Sequence, residues 1–391
     1  MASVERLTRK HASGKTEIRY RVRWRDPDGR QKAKTFIRKG DADRFRSTIA
    51  ADLVRDAYRD PDAGRVLFRT HAAEWLMAQT FTPATRDLIE TRLRLHTLPV
   101  LGNTQLRDLR PSAIQSWLKG LDHLAVNYRR VLFDHVMTIL NAAVDDGLIA
   151  KNPCKAPSVR KPALEQRKVV PWPPDQVNAL IESIVARHQL VAVLAAGTGL
   201  RQGEIFGLSP SDFDLERDVI EVRRQVKLYR GHVRYFDLPK GGKTRTVALP
   251  GSVRQAFERH LEQWPTADVT HPWAKPDGDP VTFRLFFATT TGQALKRDVF
   301  NEGTWWPALR RIGVLPSRET GCHALRHFYA STLLDAGVSI KVVSEYLGHA
   351  DPAFTLRTYT HLMPNSDGRV RNAVDAAICV PNVYPDAAST A

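Results

Sequence analysis

His323-Ala324-Leu325-Arg326-His327, followed by Leu347-Gly348-His349 and then Tyr359, is the stretch on which the reading of this chain turns. Its counterpart lies far upstream, in Thr198-Gly199-Leu200-Arg201-Gln202-Gly203-Glu204. His323 and Arg326 are three residues apart, so both fall on one face of a helix. Glycine at 197 and 199 ends one helix and Arg201 opens the next, at a helix N-terminus that already favours phosphate. His349 sits just past a glycine able to take positive φ. Two arginines, two histidines and a tyrosine do not make a zinc site, because HxxRH lacks a carboxylate or third ligand at the expected spacing. They do suit a phosphodiester. Two guanidiniums can clamp the non-bridging oxygens in bidentate fashion, and a tyrosine hydroxyl can attack phosphorus to form a covalent intermediate. Singly, each residue has a plainer reading: Arg201 as a solvated side chain, Glu204 as its i,i+3 surface partner or its orienter, His349 as structural, Tyr359 as half-buried.

Outward from this set, the charge points the same way. The chain has 391 residues, 42% apolar, with a net charge of +16. That length predicts two or three domains, and that charge predicts a polyanionic partner, DNA first. Between residues 6 and 39 there are thirteen Lys/Arg and three acids, a local excess of +10. Within it Ile18, Tyr20, Val22 and Trp24 alternate with Arg19, Arg21, Arg23 and Arg25. A strand puts these on opposite faces, one apolar and one a row of four arginines. Like charges side by side repel, so the row is expected to meet an anionic ligand. Asp26-Pro27-Asp28-Gly29 predicts a turn, Gln31–Ile37 the return strand, and Asp41 the N-cap of a helix to Tyr58.

The spacing predicts helices throughout 66–152. Phe68, Ala72, Trp75 and Leu76 form one stripe, Leu88, Thr91, Arg92 and Leu95 another. Further helices are expected from Pro111 to Leu118 and from Asn127 to Asp146. Trp75, Trp117, Phe133 and Met137 read as core. Residues 153–174 hold six prolines with Lys155, Arg160, Lys161, Arg167 and Lys168 between them, which predicts a basic, extended linker. Helices resume near Pro174, and residues 219–249 read as short strands turning at Gly231 and Gly241-Gly242. Helices then follow at 253–264, 305–312, 323–336, 340–346 and 355–362. The expected class is multidomain and mainly α with small β-sheets. Cys154, Cys322 and Cys379 are too far apart for a zinc site or a disulfide framework, which predicts a reducing, cytoplasmic setting. No apolar run follows the basic N-terminal residues, so no signal peptide is expected, and no segment has the length of a membrane span.

Taken together, Arg201, His323, Arg326, His349 and Tyr359, in this order and with ten residues from His349 to Tyr359, resemble the tyrosine recombinases, the phage-integrase family. Thr358-Tyr359-Thr360-His361 is similar to the usual surroundings of the family's tyrosine. Pro239-Lys240-Gly241-Gly242-Lys243 is similar to its Gly-Lys-Gly hairpin. The resemblance makes Lys240 the acting lysine, with Lys243 a phosphate contact or solvated. It implies an arm-type DNA-binding domain at 1–60, a helical core-binding domain at 66–155, a catalytic domain at 170–365 and a tail at 366–391. It implies site-specific cleavage and rejoining of DNA through a 3′-phosphotyrosyl link, needing no metal, cofactor or ATP. Tyr359 would be the nucleophile, with Arg201 and Arg326 on the phosphate. His323 would assist the tyrosine or bond the phosphate, Lys240 would protonate the leaving oxygen, and His349 would donate a hydrogen bond. Nearby cations are expected to favour the phenolate. Implied partners are duplex DNA at core and arm attachment sites, a homotetramer on synapsed DNA, a host DNA-bending factor and an excisionase, with no membrane. Type IB topoisomerases share the chemistry, and an inert DNA-binding regulator would share the charge; the basic arm speaks against the first and the intact residue set against the second.

Overall fold

The structure, a computed structural model, describes residues 2–10, 16–27, 29–55, 58, 60, 62–165, 169–349, 351–359 and 377. Lys15, Asp28, Arg167, Lys168, Thr360, His361, Cys379 and all of the 366–391 tail but Ala377 lie outside the described residues. The chain forms two compact units, 1–166 and 167–391. It is mainly helical with small antiparallel sheets, as the spacing predicts. Among the described residues no helix is long and apolar enough to cross a membrane.

The first unit opens with a sheet of β1 (Ser3–Lys10), β2 (Thr16–Arg25) and β3 (Gln31–Phe36), in that order. The alternation in β2 does what it predicts: Val22 and Trp24 are buried and cluster with Ala42 and Ile49 of α1 (Lys39–Val54). That helix begins behind Arg38, with no side-chain cap, rather than at Asp41. Strand β1 was not expected, and it changes the arginine face. Glu5 of β1 pairs with Arg23 at 3.1 Å, and Glu17 pairs with Arg19 at 2.7 Å. Two of the four arginines therefore have carboxylates from their own sheet, which relieves the repulsion expected of a bare row.

A second apolar cluster gathers α2 (Phe68–Ala78), α3 (Pro83–Arg92), α4 (Leu98–Leu101), α5 (Pro111–Lys119) and α6 (Val126–Asp145). Phe68, Ala72, Trp75, Leu76, Trp117 and Phe133 are buried as read. The second stripe is displaced by one position: Ile89 and Leu93 are buried, while Leu88 and Leu95 are about half exposed, at 49% and 52%. The displacement is already present at Ile89 within the regular helix α3, and the π-turn over Leu93–Thr97 adds a residue to the repeat only beyond it. The proline-rich segment is not a free spacer up to residue 165. Val159 is buried, Arg130 donates to the Pro162 carbonyl at 2.8 Å, and Lys161 pairs with Asp134 at 2.8 Å.

The second unit is built on α7 (Pro174–Ser183) and α8 (Ala186–Thr198), the latter apolar on nearly every side and buried against α10 (Gly251–Gln263) and α13 (His323–Asp335). The short α9 (Gln202–Phe206) follows α8 at once. Between α10 and α13 lie α11 (Arg297–Phe300) and α12 (Trp306–Arg311); α14 (Ile340–Leu347) and α15 (Pro352–Tyr359) come last. Strands β4 (Phe213–Asp214), β5 (Val219–Val222) and β8 (Arg245–Ala248) form one sheet. Strands β6 (Gln225–Tyr229) and β7 (Val233–Asp237) form a hairpin. A further hairpin, β9 (Ala267–Pro272) with β10 (Pro280–Leu285), was not read from the sequence.

Helices α8 and α14 are capped directly by left-handed glycines, Gly199 (φ 64°) and Gly348 (φ 62°). A Cβ on Gly199 would also lie 2.4 Å from the Tyr329 ring. Gly199→Ala is therefore expected to lower stability by more than about 1 kcal/mol, read by urea unfolding.

Candidate active site

The left-handed turn at Gly199 swings the chain out of α8, so that Arg201 enters in extended backbone (φ −75°, ψ 148°) immediately before α9. Helix α9 is only five residues long. Few peptide dipoles align along so short a helix, so the positive field here comes from side chains rather than from the helix end expected above.

Those side chains are organised by Glu204. Its carboxylate is fully buried and accepts from the Arg201 backbone N–H and guanidinium, both at 2.9 Å, and twice from Arg245 of β8, at 3.0 and 2.7 Å. Burial alone would push this carboxyl up. The hydrogen bonds and charge of Arg245, with the charge of Arg201, reverse that and hold it at about 2. Glu204 is thus a buried charge hub, not a surface partner.

The arginines have second holds on helix ends. Arg245 donates to the Tyr346 carbonyl at 2.8 Å and Arg201 to the Gly348 carbonyl at 3.4 Å. Arg326 of α13, 1% exposed, donates to the Gly199 carbonyl at 2.7 Å and to that of Leu347. The last carbonyls of a helix have no partner within it and carry its negative pole, which suits guanidinium donors. The C-terminal ends of α8 and α14 are thereby tied together by arginine. Burial and the neighbouring Arg201 lower Arg326 to about 9, which leaves it charged at neutral pH.

The histidines are neutral. Burial, then the charges of Arg326, Arg201, His323 and Arg245, takes His349 to about 3. Its Nδ1 lies 2.7 Å from the hydroxyl of buried Thr355, so when that hydroxyl donates, the ring proton sits on Nε2. Burial and then His327, Arg326, Arg201 and Lys240 lower His323 to about 4. His323 is exposed toward the cleft. Lys240 is exposed in the turn where Gly242 N–H closes on the Pro239 carbonyl at 2.9 Å. This turn is not a hairpin tip: it carries the chain from β7 of one sheet to β8 of another. Lys243 is exposed in the same segment.

Tyr359 ends α15 with 2% exposure, and burial pushes its hydroxyl to about 12, against a smaller downward pull from Arg326. The expectation that nearby cations would favour the phenolate does not hold here, because desolvation outweighs them. The histidine in contact with the phenol is His327, whose Nδ1 is 2.6 Å from the hydroxyl. The sequence reading assigned no role to His327; its i,i+4 spacing from His323 is the signal that could have found it. Arg245 was also missed, and nothing in its local sequence separates it from Lys243 or Lys240.

Beside Arg201 and His323 runs an open cleft of about 610 Å³, lined also by Gln202, Arg297, Asn301 and Arg318. The six expected residues thus divide. Arg201, His323, Arg326, His349 and Tyr359 lie within one hydrogen-bonded and electrostatic neighbourhood, and Lys240 reaches it by charge. Arg19, Arg21, Arg23 and Arg25 lie in the other unit.

Residues 173–366 match the phage integrase family. The chain belongs to that family. Among this integrase-family chain's relatives, a tyrosine recombinase XerC-like protein of Caldanaerobacter subterraneus subsp. tengcongensis is 32% identical over 249 residues. That match covers 60% of this chain and 62% of the relative, so the chain spans less than two thirds of that protein's length. The integrase of Mycobacterium phage L5 is 24% identical over 305 residues, covering 78% of this chain and 77% of the relative. The fold is similar to that of the Tn1549 transposon integrase in complex with transposon right end DNA, at TM-score 0.65, 22% identity, 80% of this chain and 99% of that one.

Glu204→Gln leaves Arg245 buried opposite a neutral amide, and breaking a buried pair in this way costs about 3–5 kcal/mol. Chemical denaturation of both proteins at pH 7 should show that gap. A carboxyl held low in the folded state contributes fully above its ordinary value of 4.5 and loses its contribution as pH falls toward about 2. The gap between wild type and Gln should therefore shrink over that range.

Proposed function

We propose that this chain is a site-specific DNA recombinase that cuts and rejoins DNA through a 3′-phosphotyrosyl intermediate, integrating or excising a mobile element or prophage. The observation that carries the reading is that Arg201, His323 and His349 couple by charge to Arg326, whose charge also reaches Tyr359, while three arginines, Arg201, Arg245 and Arg326, share the single carboxylate of Glu204, an excess of two charges. Such an excess, next to an open cleft, favours a phosphodiester.

In this reading Tyr359 attacks phosphorus in line, forming the Oη–P bond as the P–O5′ bond breaks. Arg201 and Arg326 neutralise the non-bridging oxygens. His349 donates through Nε2–H. His323, neutral and on the cleft side, takes the phenol proton as the Oη–P bond forms and can then hydrogen-bond the phosphate. Lys240 gives the departing 5′-oxygen its proton. The covalent link keeps the bond energy, and a 5′-hydroxyl from a partner strand can re-form the phosphodiester without ATP. The Tyr359 hydroxyl is buried before DNA binds, so the site must open around it for phosphorus to reach it.

The domain assignment belongs to the same proposal: an arm-type DNA-binding domain at 1–60 with Arg19, Arg21, Arg23 and Arg25 toward DNA, a core-binding domain at 66–155, a catalytic domain at 170–365 and a tail at 366–391, acting in the cytoplasm. Lambda integrase, a fold neighbour at TM-score 0.54 and 15% identity, is seen as a tetramer bound to a Holliday junction. By that likeness we assign a homotetramer on synapsed DNA, and from the resemblance of the residue set to the family we propose duplex DNA at core and arm sites, a bending factor and an excisionase as further partners.

Tyr359→Phe should abolish covalent protein–DNA adducts on denaturing gels while leaving DNA binding intact, using nicked duplexes cut from the DNA that flanks the gene. Adducts that persist would move the nucleophile to another tyrosine. Lys240→Ala should slow cleavage about 10²–10⁴-fold, far more than Lys243→Ala, as loss of a general acid does. A 5′-phosphorothiolate leaving group needs no proton and should restore the Lys240→Ala rate. Restoration of Lys243→Ala alone would transfer the role to Lys243.

A further inference from the structure

His327 has no part in the reading above, yet it makes the shortest contact to the Tyr359 hydroxyl. We propose that His327 is the positioning residue for the nucleophile: its Nδ1 accepts the Tyr359 hydroxyl hydrogen bond and fixes the phenol on the face of α13 that carries Arg326. The inference rests on Tyr359 being the nucleophile.

Three observations carry it. The Nδ1 to Oη distance is 2.6 Å, at the short end for such a bond. The two rings also pack, with centroids 5.7 Å apart, so the phenol is held along its edge as well as at its tip. His327 is itself braced, because the His323 ring stands edge-on to it at 4.8 Å and its helix is anchored through Arg326 to the ends of α8 and α14. A phenol gripped in this way is confined to few rotamers, and a nucleophile misplaced by about 1 Å loses about 10²-fold in rate.

The protonation states agree. Burial, then the Arg326 charge, lowers His327 to about 4, so it offers a lone pair at neutral pH. With the phenol near 12, the proton stays on oxygen. The bond therefore orients the hydroxyl and does not ionise it. Arg326 lies one residue before His327 and is the charge that pulls the phenol down. One turn of α13 thus supplies both the hydrogen-bond acceptor for the nucleophile and a cation beside it.

The test compares His327→Asn with His327→Leu. Asparagine places an amide atom near the position of Nδ1, and leucine fills similar space without a polar atom. Single-turnover cleavage is measured on the nicked flanking duplex that gives an adduct with the unaltered protein. Binding is measured on the same DNA by gel shift and folding by thermal melting. His327→Leu should cleave about 10²-fold more slowly, with binding unchanged, and His327→Asn should recover most of that loss. Leucine cleaving as fast as wild type, or asparagine as slow as leucine, would overturn the positioning role. An adduct formed by Tyr359→Phe on the same gel would instead overturn the nucleophile assignment beneath it.

Discussion

The catalytic unit depends on one buried carboxylate. Glu204 has no solvent of its own, and an isolated charge in that position would be prohibitively unstable. Its four accepted hydrogen bonds come from Arg201 and Arg245, which belong to different parts of the chain. Satisfying Glu204 therefore fixes the joint between α8 and α9 against the edge of β8. Arg245 reaches on to the end of α14, and Arg326 completes the connection by bonding the ends of both helices. Cationic side chains can sit this close because helix carbonyls and one carboxylate take up part of their field.

What remains is a positive site whose charge sits on arginines and Lys240, not on histidine. His323, His327 and His349 are all drawn toward the neutral imidazole, by desolvation and by the neighbouring cations. Neutral imidazoles can donate and accept hydrogen bonds without adding to the repulsion among guanidiniums. The same burial keeps the Tyr359 phenol protonated. The resting arrangement is consequently attractive to an anion while its tyrosine hydroxyl stays protonated.

Much of this was legible in the residues. The alternation Ile18 to Arg25 predicts a strand with one apolar face, and Val22 and Trp24 are buried on it. The spacing of His323 and Arg326, and the glycines before Arg201 and His349, predict the helix and the turns that carry them. Other features had no local signal. Strand β1 is too polar to be read alone, yet Glu5 within it changes the charge of the arginine face. The π-turn at Leu93–Thr97 leaves no mark in the spacing of apolar residues that an α-helical count follows. Arg245 is one of several cations in a basic segment, and only folding brings it to Glu204.

The sequence by itself determined which residues have the chemistry for a phosphodiester, their order, and the family to which they belong, because residue type and spacing along a helix are local properties. The tertiary structure alone decided which of them touch. It made Glu204 a buried hub rather than a surface partner, and it set His327, not His323, against the Tyr359 hydroxyl. It also placed Lys240 on a crossing between two sheets. Each of these depends on contacts between segments distant in the chain, and the cost of burying a charge or a polar group, which selects those contacts, is not written in any one of the segments.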